Sequence, residues 1–459
     1  MSGESLAPVI TEDDGLSAKL KHRLDQRTAS DPDFWSFNAL RSRTGNHALF
    51  QYPAMMVPEL QGALLDDLIT IEPATSLIYD PFAGSGTVML ESLYRGLDFH
   101  GSDINPLAIL LSQVKSTPPS VDTLASAKAE VLARAAASAD LDPPVFSGID
   151  KWFKPEITSG LTQLRSAIQA VDDLTARRFL WICLAETIRL VSNSRISTFK
   201  LHTYPAEEIA RREVDAVKVF GAVATQNQDR LTQHWERVTR IPSERSSPTA
   251  LLLPGSVSDR WVAPKRADAL MTSPPYGDNK TTVPYGQHSY LPLCWIDTND
   301  IPGGFDRSLL ETTARIDSLS LGGSIKNADK ARDDLTAASP SLREFLLLID
   351  NTPPLRKKVL SFVRDYRSAL QAIRPRLKDG AFCFLTLGER RVGRQTFPLV
   401  DITRELLKAD GHEEVTTIER VLPGSRKRMA AKNNQGDTMA QEWILVTRSW
   451  AADRNTRAR

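Results

Sequence analysis

Residues 77–103 read LIYDPFAGSGTVMLESLYRGLDFHGSD, and this stretch decides the fold. A short apolar run leads into a turn with two glycines, and an amphipathic segment and a second short run follow. Short runs bounded by turn residues indicate strands, and the longer periodic segment between them indicates a helix. The pattern therefore predicts a βαβ unit made of strand Leu77–Asp80, helix Thr87–Arg95 and strand Asp98–Asp103.

The rest of the chain continues this alternation with two interruptions. The runs ALLLPGSV, RADALMTS and AFCFLTLG have strand character, and amphipathic helical patterns lie among them. We expect an α/β fold, an open and mostly parallel sheet with helical and loop insertions. The predicted divisions are a polar N-terminal extension (1–45), a first part of the sheet domain (46–117), a helical insertion (118–245), a second part of the sheet domain (246–298), a loop-rich insertion (299–350) and a C-terminal part (351–450).

Composition limits the classes of protein to consider. The 459 residues are enough for two or three domains. A net charge of +1 gives no global basic field, so an anionic partner must be met by local patches. The three cysteines lie far apart without metal-type spacing, and we expect no metal site. No signal peptide or membrane-length apolar run is present, so we expect a cytoplasmic protein that acts at the nucleoid and not at a membrane.

The glycine turn has features of a nucleoside site. Gly84 and Gly86 lie between a predicted strand and a predicted helix, where a ligand can approach bare backbone. Met89 occupies the position of the third glycine of a dinucleotide fingerprint. Asp103 ends the next strand, where an acid can accept hydrogen bonds from ribose hydroxyls. The combination favours a nucleoside cofactor without a pyrophosphate, and the alternative is a structural turn beside a strand-ending aspartate.

A second corner follows the run DALMT, where the chain continues as Ser273, Pro274, Pro275 and Tyr276. Two adjacent prolines remove two backbone donors and fix two φ angles, so the chain must turn rigidly there. A stiff turn with a hydroxyl and an aromatic ring either only ends the strand or forms part of a binding surface.

Several segments together resemble a known enzyme family. DPFAGSGTV with GSDINPLA resembles motifs I and II of S-adenosylmethionine-dependent methyltransferases. TSPPYG resembles motif IV of the amino-methylating DNA methyltransferases, which modify cytosine N4 or adenine N6. QYPAMMVPEL is similar to the region before motif I that helps to close over the methionine end of the cofactor. The resemblance covers roughly residues 46–110 and 250–447, and the order of the motifs makes it specific.

The resemblance implies a Rossmann-like, mostly parallel methyltransferase sheet with a C-terminal antiparallel hairpin and a mainly helical insertion. It also implies S-adenosyl-L-methionine as the cofactor. LLPGSVSD stands where motif III is expected, at the end of its strand. The expected cofactor-binding residues are Tyr52, Pro53, Asp80, Phe82, Ala83, Gly84, Ser85, Gly86, Thr87, Asp103, Ile104, Asn105, Ser256 and Asp259.

The same resemblance assigns the catalytic residues as Ser273, Pro274, Pro275 and Tyr276. An exocyclic amine is a poor nucleophile because its lone pair is delocalised, and hydrogen-bond acceptors can draw its nitrogen toward a tetrahedral geometry. The Ser273 hydroxyl and the Pro274 carbonyl are the expected acceptors. We expect Tyr276 to stack on a base flipped out of the duplex.

The expected function is site-specific methylation of double-stranded DNA on an exocyclic amine. Family members with Ser at the first position of motif IV are commonly cytosine-N4 enzymes, so N4 is favoured and adenine N6 is the alternative. An RNA guanine-N2 methyltransferase and a catalytically silent DNA-binding relative remain as further alternatives. Cytosine-C5 chemistry is set aside because none of the cysteines follows a proline. A cognate restriction endonuclease or another defence component is the expected protein partner.

Target recognition is expected mainly in the helical insertion, around VSNSRISTFKLHTYP. Trp152 and Phe153 of the same insertion are expected to pack in a core. The basic segments 389–395 and 425–437 are candidates for phosphate contacts, with a solvated charged hairpin as the alternative. A base-binding or DNA-facing loop is expected to contain Asp278, Lys280, Tyr285, Gln287, His288 and Tyr290.

Overall fold

The computed structural model describes residues 12–38, 42–138, 141–242, 247–259, 265–277, 282–422 and 441–450. Its strands are β1 Leu77–Asp80, β2 Asp98–Asp103, β3 Ala250–Pro254, β4 Ala267–Thr272, β5 Leu377–Gly388, β6 Arg391–Val392, β7 Gln395–Thr396, β8 His412–Val421 and β9 Gln441–Ser449. Its α-helices are α1 Glu12–Ser30, α2 Pro58–Ile71, α3 Thr87–Leu93, α4 Pro106–Ser116, α5 Val121–Ala137, α6 Ile149–Trp152, α7 Pro155–Gln169, α8 Leu174–Val191, α9 Ala206–Arg211, α10 Ala216–Val238, α11 Tyr285–Trp295, α12 Arg315–Leu319, α13 Arg332–Ala338, α14 Pro340–Leu348, α15 Pro353–Ile373 and α16 Leu399–Ala409.

Seven strands form one sheet in the order β3-β2-β1-β4-β5-β9-β8. The first five are parallel, and β9 runs antiparallel to both β5 and β8. The predicted α/β fold, a mostly parallel sheet with an antiparallel pair at its C-terminal end, is confirmed. The strand order reverses between β1 and β4, and ligands of open α/β sheets bind at the carboxyl ends of strands beside such a reversal.

The βαβ unit forms as the sequence predicts, with β1 and β2 at the predicted bounds. The helix between them ends at Leu93, two residues earlier than predicted, and Gly96 follows at a φ of 69°. A left-handed glycine there reverses the chain into β2 without the steric cost that a side chain would carry.

Two segments contain more helix than the sequence suggests. The N-terminal extension includes α1, whose buried Leu20 and Leu24 pack in the same cluster as Ile78 of β1. The segment 299–350, predicted as loop-rich, contains α12, α13 and α14. These helices are short or weakly amphipathic, so their stability comes from tertiary packing, which local patterns do not report.

Helices cover both faces of the sheet. One buried cluster extends through α4, α5, α7, α8, α10 and α11. The helical insertion therefore shares its core with α4, which directly follows β2, and Trp152 and Phe153 lie in this core as predicted. Because the insertion packs on a helix of the sheet domain, its loops have a fixed position beside the carboxyl ends of the strands. No helix in the described ranges is both long and apolar enough to span a bilayer.

Candidate active site

A cleft with a volume of ≈ 1730 Å³ lies at the carboxyl ends of the central strands. Among the residues predicted for the site, those that line it are Tyr52, Pro53, Phe82, Ala83, Gly84, Ser85, Thr87, Asp103, Ile104, Asn105, Ser256, Ser273, Pro274, Pro275 and Tyr276. Asp80, Gly86 and Asp259 are not among the lining residues. The glycine turn and the double-proline corner thus face one common cleft.

The glycine turn requires both of its glycines, and Gly86 also leaves no room for a side chain. Gly84 and Gly86 have φ values of 51° and 70°, in the left-handed region that side chains disfavour. A Cβ atom on Gly86 would lie 2.7 Å from the Ser112 hydroxyl oxygen of α4. The Gly86 N–H donates to the Ala83 carbonyl at 2.8 Å, which closes the turn before α3 begins. Bare backbone at this turn lets α3 and α4 pack closely and lets the cleft reach the main chain.

Asp103 holds this turn from the end of β2. Its carboxylate accepts hydrogen bonds from the backbone N–H groups of Gly84 and Asn105, both at 2.8 Å. Burial raises the pKa of Asp103 to about 6, although both hydrogen bonds act in the opposite direction. Each carboxylate oxygen can accept more than one hydrogen bond, so acceptor capacity remains toward the cleft.

Asp80 connects the two corners. One of its oxygens accepts hydrogen bonds from the Thr272 hydroxyl at 2.6 Å and from the Phe82 N–H at 3.0 Å. Thr272 ends β4 immediately before Ser273, so this contact fixes the glycine turn relative to the double-proline corner. The other oxygen of Asp80 is buried without a hydrogen-bond partner among the described residues. Burial raises the pKa of Asp80 to about 7.

The double-proline corner carries a chain of polar contacts. The Ser273 and Tyr276 hydroxyl oxygens lie 3.1 Å apart. Tyr276 in turn donates to the Glu442 carboxylate of β9 at 3.3 Å. Its half-buried ring packs against a core cluster of the sheet, and burial raises its pKa well above the ordinary value. The sequence does not predict the contact between Tyr276 and Glu442, because β9 is distant along the chain.

Tyr52 and Asn105 join three separate segments around the cleft. The Asn105 amide donates to the Tyr52 hydroxyl at 3.0 Å and to the Ser289 hydroxyl of α11 at 2.7 Å. The Tyr52 ring stacks on Tyr285, with centroids 5.7 Å apart and planes inclined by 28°. Tyr52 is buried, so its ring is mainly a structural wall of the site.

The segment after the double prolines differs from the expected loop. Residues 285–295 form α11, and among the described residues named for that loop only Tyr285 lines the cleft. His288 and Tyr290 are buried, and a His288 ring nitrogen lies 3.0 Å from the Gln51 carbonyl oxygen. Asp278 and Lys280 lie outside the described residues.

The two residues predicted for motif III are placed differently. Ser256 lines the cleft, whereas the Asp259 carboxylate turns back and accepts from the Ser256 N–H at 2.7 Å. Asp259 thus stabilises the turn after β3. A short polar turn after a strand predicts that a polar side chain lies near the cleft. It does not predict which of the side chains faces the cleft and which bonds back to the turn.

Further segments line the cleft that residue patterns did not assign to the cofactor site. They comprise Ser197, Thr198, Phe199, Lys200 and His202 of the helical insertion, Glu389, Arg390 and Arg391 after β5, and Ile316, Leu319, Ser320 and Leu321 around α12. The basic segment 389–395 therefore borders the cleft, whereas 425–437 is outside the described residues. No cluster of metal-ligating side chains occurs in the part of the chain that the structure describes.

A known protein is similar in sequence to this chain along nearly its whole length. No family model matches the chain. The chain is 27% identical to Type II methyltransferase M.MvaI of Kocuria varians, over 95% of this chain and 98% of that protein. The rRNA methyltransferase AviRa of Streptomyces viridochromogenes aligns over 86% of both chains at 11% identity, with a TM-score of 0.28, too low to show a common fold. The similarity to M.MvaI, which extends along nearly all of both chains, supports a methyltransferase.

Proposed function

We propose that this chain transfers a methyl group from S-adenosyl-L-methionine to the exocyclic amine of a base flipped out of double-stranded DNA, with cytosine N4 favoured. One observation carries the proposal. The glycine turn and the Ser273 corner line one cleft, and the Asp80–Thr272 hydrogen bond fixes them to each other. A donor held at the first corner would therefore meet an acceptor held at the second.

The residues present fit the donor. Asp103 offers carboxylate oxygens to ribose hydroxyls, and Gly84 leaves the backbone open to a ligand. Asp80 does not line the cleft, so it would support the glycine turn from below through the Phe82 N–H and would not touch the donor. When bound, S-adenosylmethionine supplies an electrophilic methyl group on a sulfonium sulfur.

The Ser273 corner would orient the amine. The Glu442 carboxylate accepts from the Tyr276 hydroxyl, so the Tyr276 oxygen is free to accept from the Ser273 hydroxyl. This direction leaves the lone pairs of the Ser273 oxygen for an incoming N–H group. The prolines keep the corner stiff, which preorganises the acceptor before the substrate arrives.

The similarity to Type II methyltransferase M.MvaI supports DNA as the substrate. It also supports a role in a restriction-modification system, in which a cognate endonuclease or another defence component is the partner. Ser273 favours cytosine N4 because of its position in the motif, and adenine N6 is the second candidate. The direct test is incubation of bacterial DNA with a tritiated donor, followed by nucleoside mass spectrometry. N4-methylcytosine is expected. N6-methyladenine would correct the base, and absence of any methylated nucleoside would reject the proposal for DNA.

Changing Ser273→Ala tests the role of the hydroxyl. We expect methyl transfer to fall about 10²–10³-fold, the range for removal of one preorganised hydrogen-bonding group. Affinity for S-adenosylhomocysteine, measured by calorimetry, should stay unchanged because Ser273 does not hold the donor. Ser368→Ala is the matched control, since Ser368 is exposed on α15 and, among the described residues, its hydroxyl bonds only the Arg364 carbonyl of its own helix. Equal turnover in both variants would contradict the assignment.

A further inference from the structure

One exposed aliphatic side chain stands at the cleft. Leu319, the last residue of α12, is 52% exposed and lines the cleft. The described residues include nine large hydrophobic side chains that are exposed, and Leu319 alone among them lines this cleft. Single exposed leucines are ordinary on protein surfaces. A functional role for Leu319 therefore depends on whether the chain on both sides of it is fixed.

The chain is fixed on the N-terminal side of Leu319. Asp317 is fully buried, and its carboxylate accepts from the backbone N–H groups of Gly286 at 2.8 Å and Gln287 at 3.1 Å. These groups belong to the first turn of α11, where intrahelical partners are lacking. Ile316 is buried in the core against which Tyr285 packs. The start of α12 is therefore tied to the helix that follows the Ser273 corner.

The chain is also fixed on the C-terminal side. The Ser320 hydroxyl donates to the Asp317 carbonyl at 2.8 Å, and the Gly322 N–H donates to the Asp365 carboxylate of α15 at 3.0 Å. Leu321 packs against the same core cluster as the Tyr276 ring. Leu319 thus projects between two anchored points, one joined to Tyr285 and one to the cluster that contacts Tyr276.

An apolar side chain held rigidly in water at a substrate cleft gains free energy if the substrate buries it. A base that leaves a duplex opens a gap in the stack, and side chains such as leucine can enter a base step and lower the cost of unstacking. We infer that Leu319 is a wedge that enters the duplex beside the flipped base and holds the base in the cleft. This inference rests on the proposed function.

The test uses duplexes with the target sequence that sequencing of methylated DNA reveals. Leu319→Ala should lower methyl transfer to the intact duplex at least about tenfold, because the gap in the stack is left unfilled. An abasic site opposite the target weakens its stacking and pairing, so on that duplex the variant should return to within about twofold of the wild type. Leu319→Met should behave like the wild type, since methionine retains an apolar side chain of similar length.

Leu347→Ala is the matched control, since Leu347 is 67% exposed and does not line the cleft. A fluorescent base analogue at the target position gives a second readout, which should show less flipping in Leu319→Ala only. Equal loss on both duplexes, or no loss on either, would overturn the wedge alone. A wild-type chain that methylates neither duplex would overturn the proposed function, and the wedge with it.

Discussion

Two carboxylates end neighbouring strands of the sheet, Asp80 buried and Asp103 half-buried, and they differ in what their oxygens contact. The Asp80 carboxylate joins the glycine turn to the double-proline corner by accepting from the Thr272 hydroxyl. Both oxygens of Asp103 accept hydrogen bonds from backbone N–H groups. The position of Asp103 at the end of the next strand can be predicted from its spacing to the glycine turn, because the strand, turn and helix are consecutive in the sequence. The sequence does not predict the Thr272 contact or the distant Glu442, since strand pairing brings these groups together.

The pKa of Asp103 leads to a pH dependence of donor affinity. Burial places this pKa at about 6 in the free protein, and hydrogen bonds from ribose hydroxyls would favour the ionised form. Affinity for S-adenosylhomocysteine should therefore be full above pH 6 and fall as the pH drops below it. Asp103→Asn should weaken binding by roughly 1–3 kcal/mol at pH 7.5 and reduce this dependence. Calorimetry at several pH values checks both expectations.

Asp80 titrates in a neighbouring range, because burial raises its pKa to about 7. Asp80 holds the glycine turn through the Phe82 N–H, so some pH dependence should persist in Asp103→Asn and decrease further when Asp80→Asn is added. An Asp103→Asn variant with the affinity and pH profile of the wild type would contradict the ribose assignment.

At the scale of elements, local signals predict the βαβ unit and the strand that ends at the double-proline corner. The elements that complete the cleft are harder to predict. Helix α12 has five residues and is held by Asp317 through hydrogen bonds to α11. A helix this short is unstable alone, and its sequence therefore carries little helical signal.

The glycine turn offers a stability test at this scale. Gly86→Ala would place a side chain at a φ of 70° and within 2.7 Å of the Ser112 hydroxyl oxygen. We expect the free energy of unfolding to fall by about 1–3 kcal/mol, measured by urea denaturation. The control is Gly15→Ala in α1, where a new Cβ meets nothing within 4 Å, and it should be neutral or stabilising by up to about 1 kcal/mol. Equal unfolding free energies for both variants would show that the turn adapts.

At the scale of the whole molecule, the helical insertion and the sheet domain form two walls of one cleft. Their common core, which includes α4 and α8, holds the insertion so that Ser197 and His202 line the same cleft as the double-proline corner. The sequence predicts that the insertion is helical, but its placement depends on contacts between residues far apart in the chain. A net charge of +1 leaves attraction for DNA to cations near this cleft.

Lys200 is a cation of the helical insertion, and changing it tests whether bound DNA crosses the insertion side of the cleft. It lies on the cleft wall, so a phosphate contact there would release counterions from the duplex. Lys200→Ala should weaken binding of target and non-target DNA alike and reduce the slope of log affinity against log salt by about 0.9. Lys218→Ala is the control, because Lys218 is 86% exposed on α10 and does not line the cleft. If fluorescence anisotropy across a salt series gives one slope for the wild type and both variants, Lys200 makes no phosphate contact and DNA does not cross the insertion there.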